Sequence, residues 1–244
     1  MIAAIETTGV GCSVALFETN AQEGAARERI GQRSGRYVAA ELTSRVPRSH
    51  DRVLADLFAQ TLAVAEVGVA DLEGLAVSVG PGSYTGIRIG MSFAIGVALG
   101  GDVPLIPVPT LDAVAWNARS VADLSGRSRV LATLPDGRGD VYAALYNLQP
   151  EFRRLTHPRN VPAADLDGML DENVVVAGPG AHLLATAPTA VAEALGHLEA
   201  GMIAERGFEL YRRGICTDAA SIRPLYVAPF VSGDGRVADH PIGS

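Results

Sequence analysis

Apolar residues recur along this chain in short runs that alternate with helical stripes, the pattern of an α/β protein. Residues 2–5 form an apolar run that ends in Glu6-Thr7-Thr8-Gly9, and 12–17 form a second run after a glycine-bearing turn; together they predict a hairpin. A third strand is expected over 37–44. Ser49 is placed to cap a helix over 50–67. In that helix Val53, Leu54, Leu57, Phe58, Leu62 and Ala65 make an apolar stripe, and Ala55, Ala59 and Ala63 a second stripe of small residues. The valine-rich run 75–79 reads as a buried strand. It leads through Gly80-Pro81-Gly82-Ser83-Tyr84-Thr85-Gly86 into an apolar helix that continues to Leu99, with Ser83 or Thr85 as its cap and Gly100 and Gly101 as its end.

Within that helix Gly86, Gly90, Ala94 and Ala98 recur at every fourth position. Each interior glycine (86, 90 and 96) costs about 1 kcal/mol relative to alanine, so the small-residue stripe predicts a site where another backbone comes close. Arg88 is the only charge in the helix, and the other faces are apolar. The expected environment is burial on nearly all sides, inside the fold or under a partner chain.

Further along, the pattern predicts a strand at 104–107 and a helix from Thr110 to about 119. A polar, glycine-containing stretch over 121–127 reads as a hinge or boundary. A second hairpin follows, with strands 130–134 and 141–146 around the turn Asp136-Gly137-Arg138-Gly139-Asp140. Then come a helix over 163–170, a strand over 174–177, Gly178-Pro179-Gly180, and helices over 181–195 and 199–213. Residues 20–35 read as an extended loop, and the tail from 217 as irregular. The segments 75–83 and 174–182 both read as strand, Gly-Pro-Gly, helix, and each half of the chain begins with a hairpin. This echo predicts a duplicated α/β architecture of two lobes, 1–108 and 109–244, each a mixed sheet with helices.

Composition narrows the chemistry. The 244 residues are 48% hydrophobic and 19% charged, enough for a sizeable core. All 20 basic residues are arginine, so neither a Walker-type phosphate loop nor Schiff-base chemistry has its lysine. A net charge of −7 is poor for stand-alone nucleic-acid binding, and the arginines scattered over 27–48 read as a solvated face. Two distant cysteines, Cys12 and Cys216, suggest a reducing compartment. No basic leader precedes the first apolar residues, and the apolar stretch 89–99 is too short to span a bilayer. The expected location is cytoplasmic, without membrane association.

Candidate sites are few. Glu6 stands at the carboxyl end of the first strand, where open α/β sheets bind ligands. With Thr7, Thr8 and Gly9 it reads either as a holder of magnesium-bound phosphate or as an acid capping its own turn. The turn at 80–86 reads first as a device for close helix packing and second as a phosphate cradle. No two of the 5 histidines lie three or four apart, which removes a helical zinc pair, and His50 reads as a local hydrogen-bonding group. Asp136 and Asp140 read as turn acids bonded to their own backbone. No catalytic residue and no metal ligand is assigned.

The run Gly80 to Gly90 resembles the signature of the TsaB (YeaZ) family of bacterial tRNA threonylcarbamoyladenosine biosynthesis proteins. Ala4-Ile5-Glu6-Thr7, Cys12 to Leu16, His50 before Val53-Leu54, Val108-Pro109-Thr110-Leu111, Asp136 to Tyr142 and Val176 to Gly180 fall in the same order. Glu6 stands where an aspartate is usual in that family, and Pro224-Leu225-Tyr226-Val227-Ala228 only partly matches the family's terminal motif. The resemblance implies two duplicated actin-like (ribonuclease H-like) lobes. It implies a non-catalytic scaffold that pairs with TsaD, which carries the metal and the catalytic site, and with the ATPase TsaE. Together these transfer a threonylcarbamoyl group to the adenosine 3′ of the anticodon in tRNAs reading A-starting codons. It also implies homodimers through the helices corresponding to 50–67 and 85–100. The expected partner or dimer residues are His50, Leu54, Ala55, Ala59, Tyr84, Thr85, Gly86, Arg88, Ile89, Gly90, Phe93, Ala94 and Val97. A degenerate nucleotide site is expected at Glu6, Thr7, Thr8, Gly178 and Gly180. No tightly bound cofactor is expected, ATP or ADP with magnesium belongs at the partner interface, and tRNA is engaged through the complex. The alternatives are an ATP-dependent phosphotransferase of the same fold, a metallopeptidase, and a homodimeric interaction module.

Overall fold

The computed structural model describes residues 1–19, 37–184, 197–228, 230–231 and 237–238. The loop expected over 20–35 and most of the helix expected over 181–195 lie outside the described residues. In chain order the strands are β1 (Ile2–Glu6), β2 (Cys12–Glu18), β3 (Tyr37–Ser44), β4 (Gly74–Gly80), β5 (Leu105–Pro109), β6 (Arg129–Pro135), β7 (Asp140–Asn147), β8 (Arg153–Arg154), β9 (Arg159–Pro162), β10 (Val174–Ala177), β11 (Phe230–Val231) and β12 (Val237–Ala238). The α-helices are α1 (His50–Val64), α2 (Tyr84–Gly101), α3 (Thr110–Asn117), α4 (Arg119–Leu124) and α5 (Ala200–Arg212).

The chain forms two compact units. The first comprises Met1–Val79, Thr85–Val108 and Glu199–Arg223; the second comprises Gly80–Tyr84, Pro109–Leu198 and Pro224–Ser244. Val108 and Pro109 fall in different units, Gly80–Tyr84 groups with the second, and Glu199–Arg223 groups with the first.

In the first unit the sheet order is β3-β2-β1-β4-β5. β1 runs antiparallel to β2 and parallel to β4, and β2 runs antiparallel to β3. Every residue of β1 and β4 is buried, the mark of strands covered on both faces. α5 covers one face: Phe208 meets Phe17 at a ring separation of 5.0 Å, and the Ala200 amide donates to Ser13 Oγ at 2.8 Å. The side chains this burial removes from water stabilise the contact by roughly 2 kcal/mol each. α1 packs on β2 and β3 through Leu54, Phe58 and Leu62. Ser49 does not cap α1 with its side chain; its hydroxyl donates back to the Val46 carbonyl at 2.7 Å.

In the second unit β6 and β7 form the expected hairpin, β10 runs parallel to β6, and both β8 and β9 pair antiparallel with β7. The local pattern of hairpin, outer strand and parallel return strand therefore repeats that of β1, β2, β3 and β4, which is the duplication the sequence echo predicts. One face of this sheet packs Leu111, Val114 and Ala115 of α3 and Ala122 of α4 against Val130, Ala132 and Tyr146. The other packs Leu131, Val141 and Leu145 against Leu166 and Ala181.

The second unit differs from expectation in several places. The stretch 121–127 is not a hinge: α4 runs to Leu124, held by the buried small residues Ala118 and Ala122. Thr110 begins α3 as a helical residue, with Pro109 before it. Residues Ala163–Met169 form a 3-10 helix in place of an α-helix, and Gly178-Pro179-Gly180 is followed by a 3-10 turn, Ala181–Leu183. β8 and β9 form one interrupted edge: the Leu155 amide donates to the Leu145 carbonyl at 2.7 Å and the Leu145 amide to Thr156 Oγ1 at 2.9 Å, and residues 155–158 lie opposite only residues 144–145 of β7, which breaks the register between the two strands. The tail contains the short antiparallel pair β11–β12.

Candidate docking surface

α1 and α2 are the helices on which the expected partner contacts fall, and both belong to the first unit apart from Tyr84. Phe58 of α1 meets Phe93 of α2 edge-on, with ring centroids 5.3 Å apart, which sets the helices side by side. On α1, Leu54, Phe58, Thr61 and Leu62 turn inward. Ala55, Ala59 and Ala63 are exposed, and Val64 beyond them is 68% exposed. The second stripe of α1 is therefore a surface of small residues.

On α2 the stripe read from the sequence lies on the opposite side from the surface. Gly86, Gly90, Ala94 and Ala98 are buried within the unit, with Ile87 and Met91. A Cβ on Gly90 would collide with Thr7 Oγ1 and stand 3.4 Å from Thr7 Cβ. What Gly90 admits is a side chain of the same chain, that of Thr7 just past the end of β1. Leu54, Gly86, Gly90 and Ala94 are thus packing residues of the unit. The exposed stripe is Arg88, Ser92, Gly96 and, beyond them, Leu99 at 73% exposure. It lies two residues, or about 200° around the helix, from the buried one, and space around Gly96 is open. Helical spacing from Arg88 picks out Ser92 and Gly96, whereas the glycine count picks out the buried face.

The other expected contacts divide. Thr85 is exposed, and Ile89, Phe93 and Val97 are half-buried along the flanks of the exposed stripe. Tyr84 stacks on Tyr226 at 5.0 Å. His50 is a local group, with Nε2 3.0 Å from the Gly11 carbonyl oxygen.

The residues expected to hold a nucleotide are packed and internally bonded. Glu6 and Thr7 are sealed from solvent. Three donors converge on Glu6 Oε1: the Thr8 amide, the Thr8 hydroxyl at 2.6 Å and the Gly9 amide at 3.0 Å. Glu6 Oε2 has no hydrogen-bond partner. Burial pushes the Glu6 carboxyl above its ordinary value, against the pull of the Thr8 and Ser78 hydroxyls and the Thr8 and Gly9 amides. The neighbouring Cys12 thiol is pushed up to about 11 by its own burial and by the Glu6 charge. Thr7 Oγ1 donates to the Gly86 carbonyl at 2.7 Å. In the second unit Gly178, at φ +98°, lies so close to β6 that a Cβ would collide with the Thr133 carbonyl. The Gly180 amide donates to that same carbonyl at 3.3 Å and the Ala181 amide to the Gly178 carbonyl at 3.0 Å. A phosphate cradle needs free amides; in both turns the donors are spent on the chain itself, so these residues do not fit a phosphate.

Asp136 Oδ1 accepts from the Arg138 and Asp140 amides at 2.7 and 3.1 Å, the local turn bonding expected of it. Among the described residues no three histidine, cysteine or acidic side chains come together as a metal-holding group, and no helix is long and apolar enough to cross a membrane.

A family model described as TsaD, tRNA N6-adenosine threonylcarbamoyltransferase, matches residues 41–166, a span that contains α1 and α2. The tRNA threonylcarbamoyladenosine biosynthesis protein TsaB of Escherichia coli (strain K12) is 34% identical over 145 residues, 59% of this chain and 54% of that protein. The protein of the same name from Bacillus subtilis (strain 168) is 31% identical over 136 residues, 55% of this chain and 57% of that protein. The chain spans about half the length of the curated relatives it matches. Among solved structures, YeaZ from Pseudomonas aeruginosa shares the fold with a TM-score of 0.70 at 24% identity, over 92% of this chain and 98% of that one.

Proposed function

The chain belongs to the TsaD family, tRNA N6-adenosine threonylcarbamoyltransferase, and from that premise we propose that it acts as a TsaB-type, non-catalytic activating subunit in threonylcarbamoyl transfer to tRNA. Its partners are a TsaD subunit, which supplies the catalytic metal site, and TsaE. The observation that carries this reading is the exposed face of α1 and α2. Ala55, Ala59 and Ala63 of α1 and Ser92, Gly96 and Leu99 of α2 are exposed small and apolar side chains on two helices that meet through Phe58 and Phe93. Such a surface permits close helix–helix approach with little side-chain entropy to lose. Arg88 lies at the end of the stripe, where a charge sets orientation and on-rate more than affinity. The spent donors around Glu6 and in the 178–180 turn favour a subunit that docks over one that transfers phosphate. ATP or ADP with magnesium, where the assembly uses them, sits with the partner subunits, and tRNA is bound by the complex in the cytoplasm.

The same face serves a homodimer when TsaD is absent. The test places arginine where space is open: Ala59→Arg combined with Gly96→Arg. The variant is expected to keep its fold by circular dichroism and to lose TsaD binding at least tenfold. It should also fail to support threonylcarbamoyl transfer when mixed with TsaD, TsaE and tRNA. Unchanged affinity for TsaD would overturn the reading. Stoichiometric nucleotide turnover by the isolated chain would favour the phosphotransferase instead.

A further inference from the structure

Of the two helices of the docking face, α2 is attached to the sheet by an unusual joint. β1 is held on both sides, by β2 and by β4, and is buried along its whole length. At its end Thr7 enters the notch that Gly86 and Gly90 leave in α2. Its hydroxyl donates to the Gly86 carbonyl at 2.7 Å. That carbonyl faces the fourth residue onward in a helix, and its second lone pair is open to Thr7 because the residue there, Gly90, has no Cβ. The turn that follows is closed on itself by the Glu6 carboxyl, which gathers the Thr8 amide, the Thr8 hydroxyl and the Gly9 amide on one oxygen. Glu6 serves its own turn as an internal acceptor, in the place that a bound oxyanion takes in a backbone nest.

We infer that Thr7, held by the Glu6 turn, is a positioning residue for partner docking: it fixes the height of α2 on the sheet and so sets the relief of the exposed Arg88–Ser92–Gly96 stripe on the other side of the helix. This rests on the docking function proposed above. A core residue that only filled space would need shape and not a hydroxyl, so Thr7→Val separates the two roles. Valine keeps the volume and leaves the Gly86 carbonyl without its second donor. Thr7→Ser keeps the donor and loses the methyl.

Two readouts are compared in the full chain. The first needs no partner: amide hydrogen exchange over 84–94. In Thr7→Val it is expected to rise about tenfold or more above wild type, the scale set by one lost buried hydrogen bond, while exchange in β6 and β7 stays unchanged. In Thr7→Ser it is expected to remain within about twofold of wild type. The second is affinity for TsaD, expected to fall about tenfold in Thr7→Val and to be restored in Thr7→Ser. A folded Thr7→Val with wild-type exchange over 84–94, or with faster exchange but wild-type affinity, would overturn the inference. If Thr7→Val does not fold, Thr7→Ser decides: accelerated exchange over 84–94 in that variant overturns the inference, and wild-type exchange and affinity support it. Absence of TsaD binding by the wild-type chain would sink the docking function, whereas the exchange readout still tests the joint.

Discussion

Glu6 is pulled in two directions at the scale of one residue. Burial favours its neutral form, while three donors on Oε1 favour the charged form, and burial prevails. The consequence for stability has a definite sign. A carboxyl whose folded pKa exceeds its unfolded value binds its proton more tightly in the native state. Its contribution is then most favourable below the ordinary value of 4.5 and declines as pH rises from there through the folded pKa. Glu41, also raised by burial against the pull of the Gly201 amide, acts in the same sense, so the pH profile of the wild type alone does not isolate Glu6. Glu6→Gln does. Denaturant unfolding between pH 4 and 8 should show the wild type losing stability relative to Glu6→Gln as pH rises, with the two closest at the acidic end; a constant difference would contradict the burial argument. On the sequence, a magnesium ligand and a turn acid were equal readings of Glu6. A one-dimensional pattern does not reveal that its nearest amides donate back to it.

At the scale of the element, α2 carries two glycines with opposite meanings. Gly90 faces Thr7 and Gly96 faces open space. Gly96→Ala should stabilise the chain by about 1 kcal/mol through helix propensity alone. Gly90→Ala should destabilise it by roughly 1–3 kcal/mol because Thr7 must move. Urea midpoints of the two variants measure the contrast, and equal shifts would mean that the joint is not there. Strands β1 to β7 and β10 were legible because each holds an apolar run, and α1, α2, α3 and α5 because of their helical stripes or capping signals. α4, β8 and β9 were not. The buried ridge of α4 is Ala118 and Ala122, whose methyl groups give little hydrophobic signal beside Arg119, Ser120 and Asp123. β8 and β9 are short, half-exposed edge segments with arginines, in which apolar alternation is absent. The direction of the α2 stripe was hidden for another reason: small residues signal close approach without saying whether the approaching group is foreign or, like the Thr7 side chain, the chain's own.

At the scale of the whole molecule, the duplicated hairpin-and-return topology was readable from two strand–glycine–helix echoes, yet the division of the chain was not. α5 lies far along the sequence and covers β1 and β2, and no local pattern announces a long-range return. A fragment of residues 1–108 leaves Phe17 and Ser13 without Phe208 and Ala200. It is expected to lack cooperative thermal unfolding, and joining 199–223 to it through a flexible linker should restore a single transition by circular dichroism; cooperative unfolding of 1–108 alone would refute this. The interrupted edge of the second sheet has its own consequence. An outermost strand normally exposes a continuous row of amides and carbonyls on which a second chain can grow. Here the register breaks between β8 and β9 at 155–158, and the exposed Arg153, Arg154 and Arg159 stand along them. A broken register and a row of positive charge both disfavour strand-by-strand addition at this margin, which argues against fibril growth from that edge.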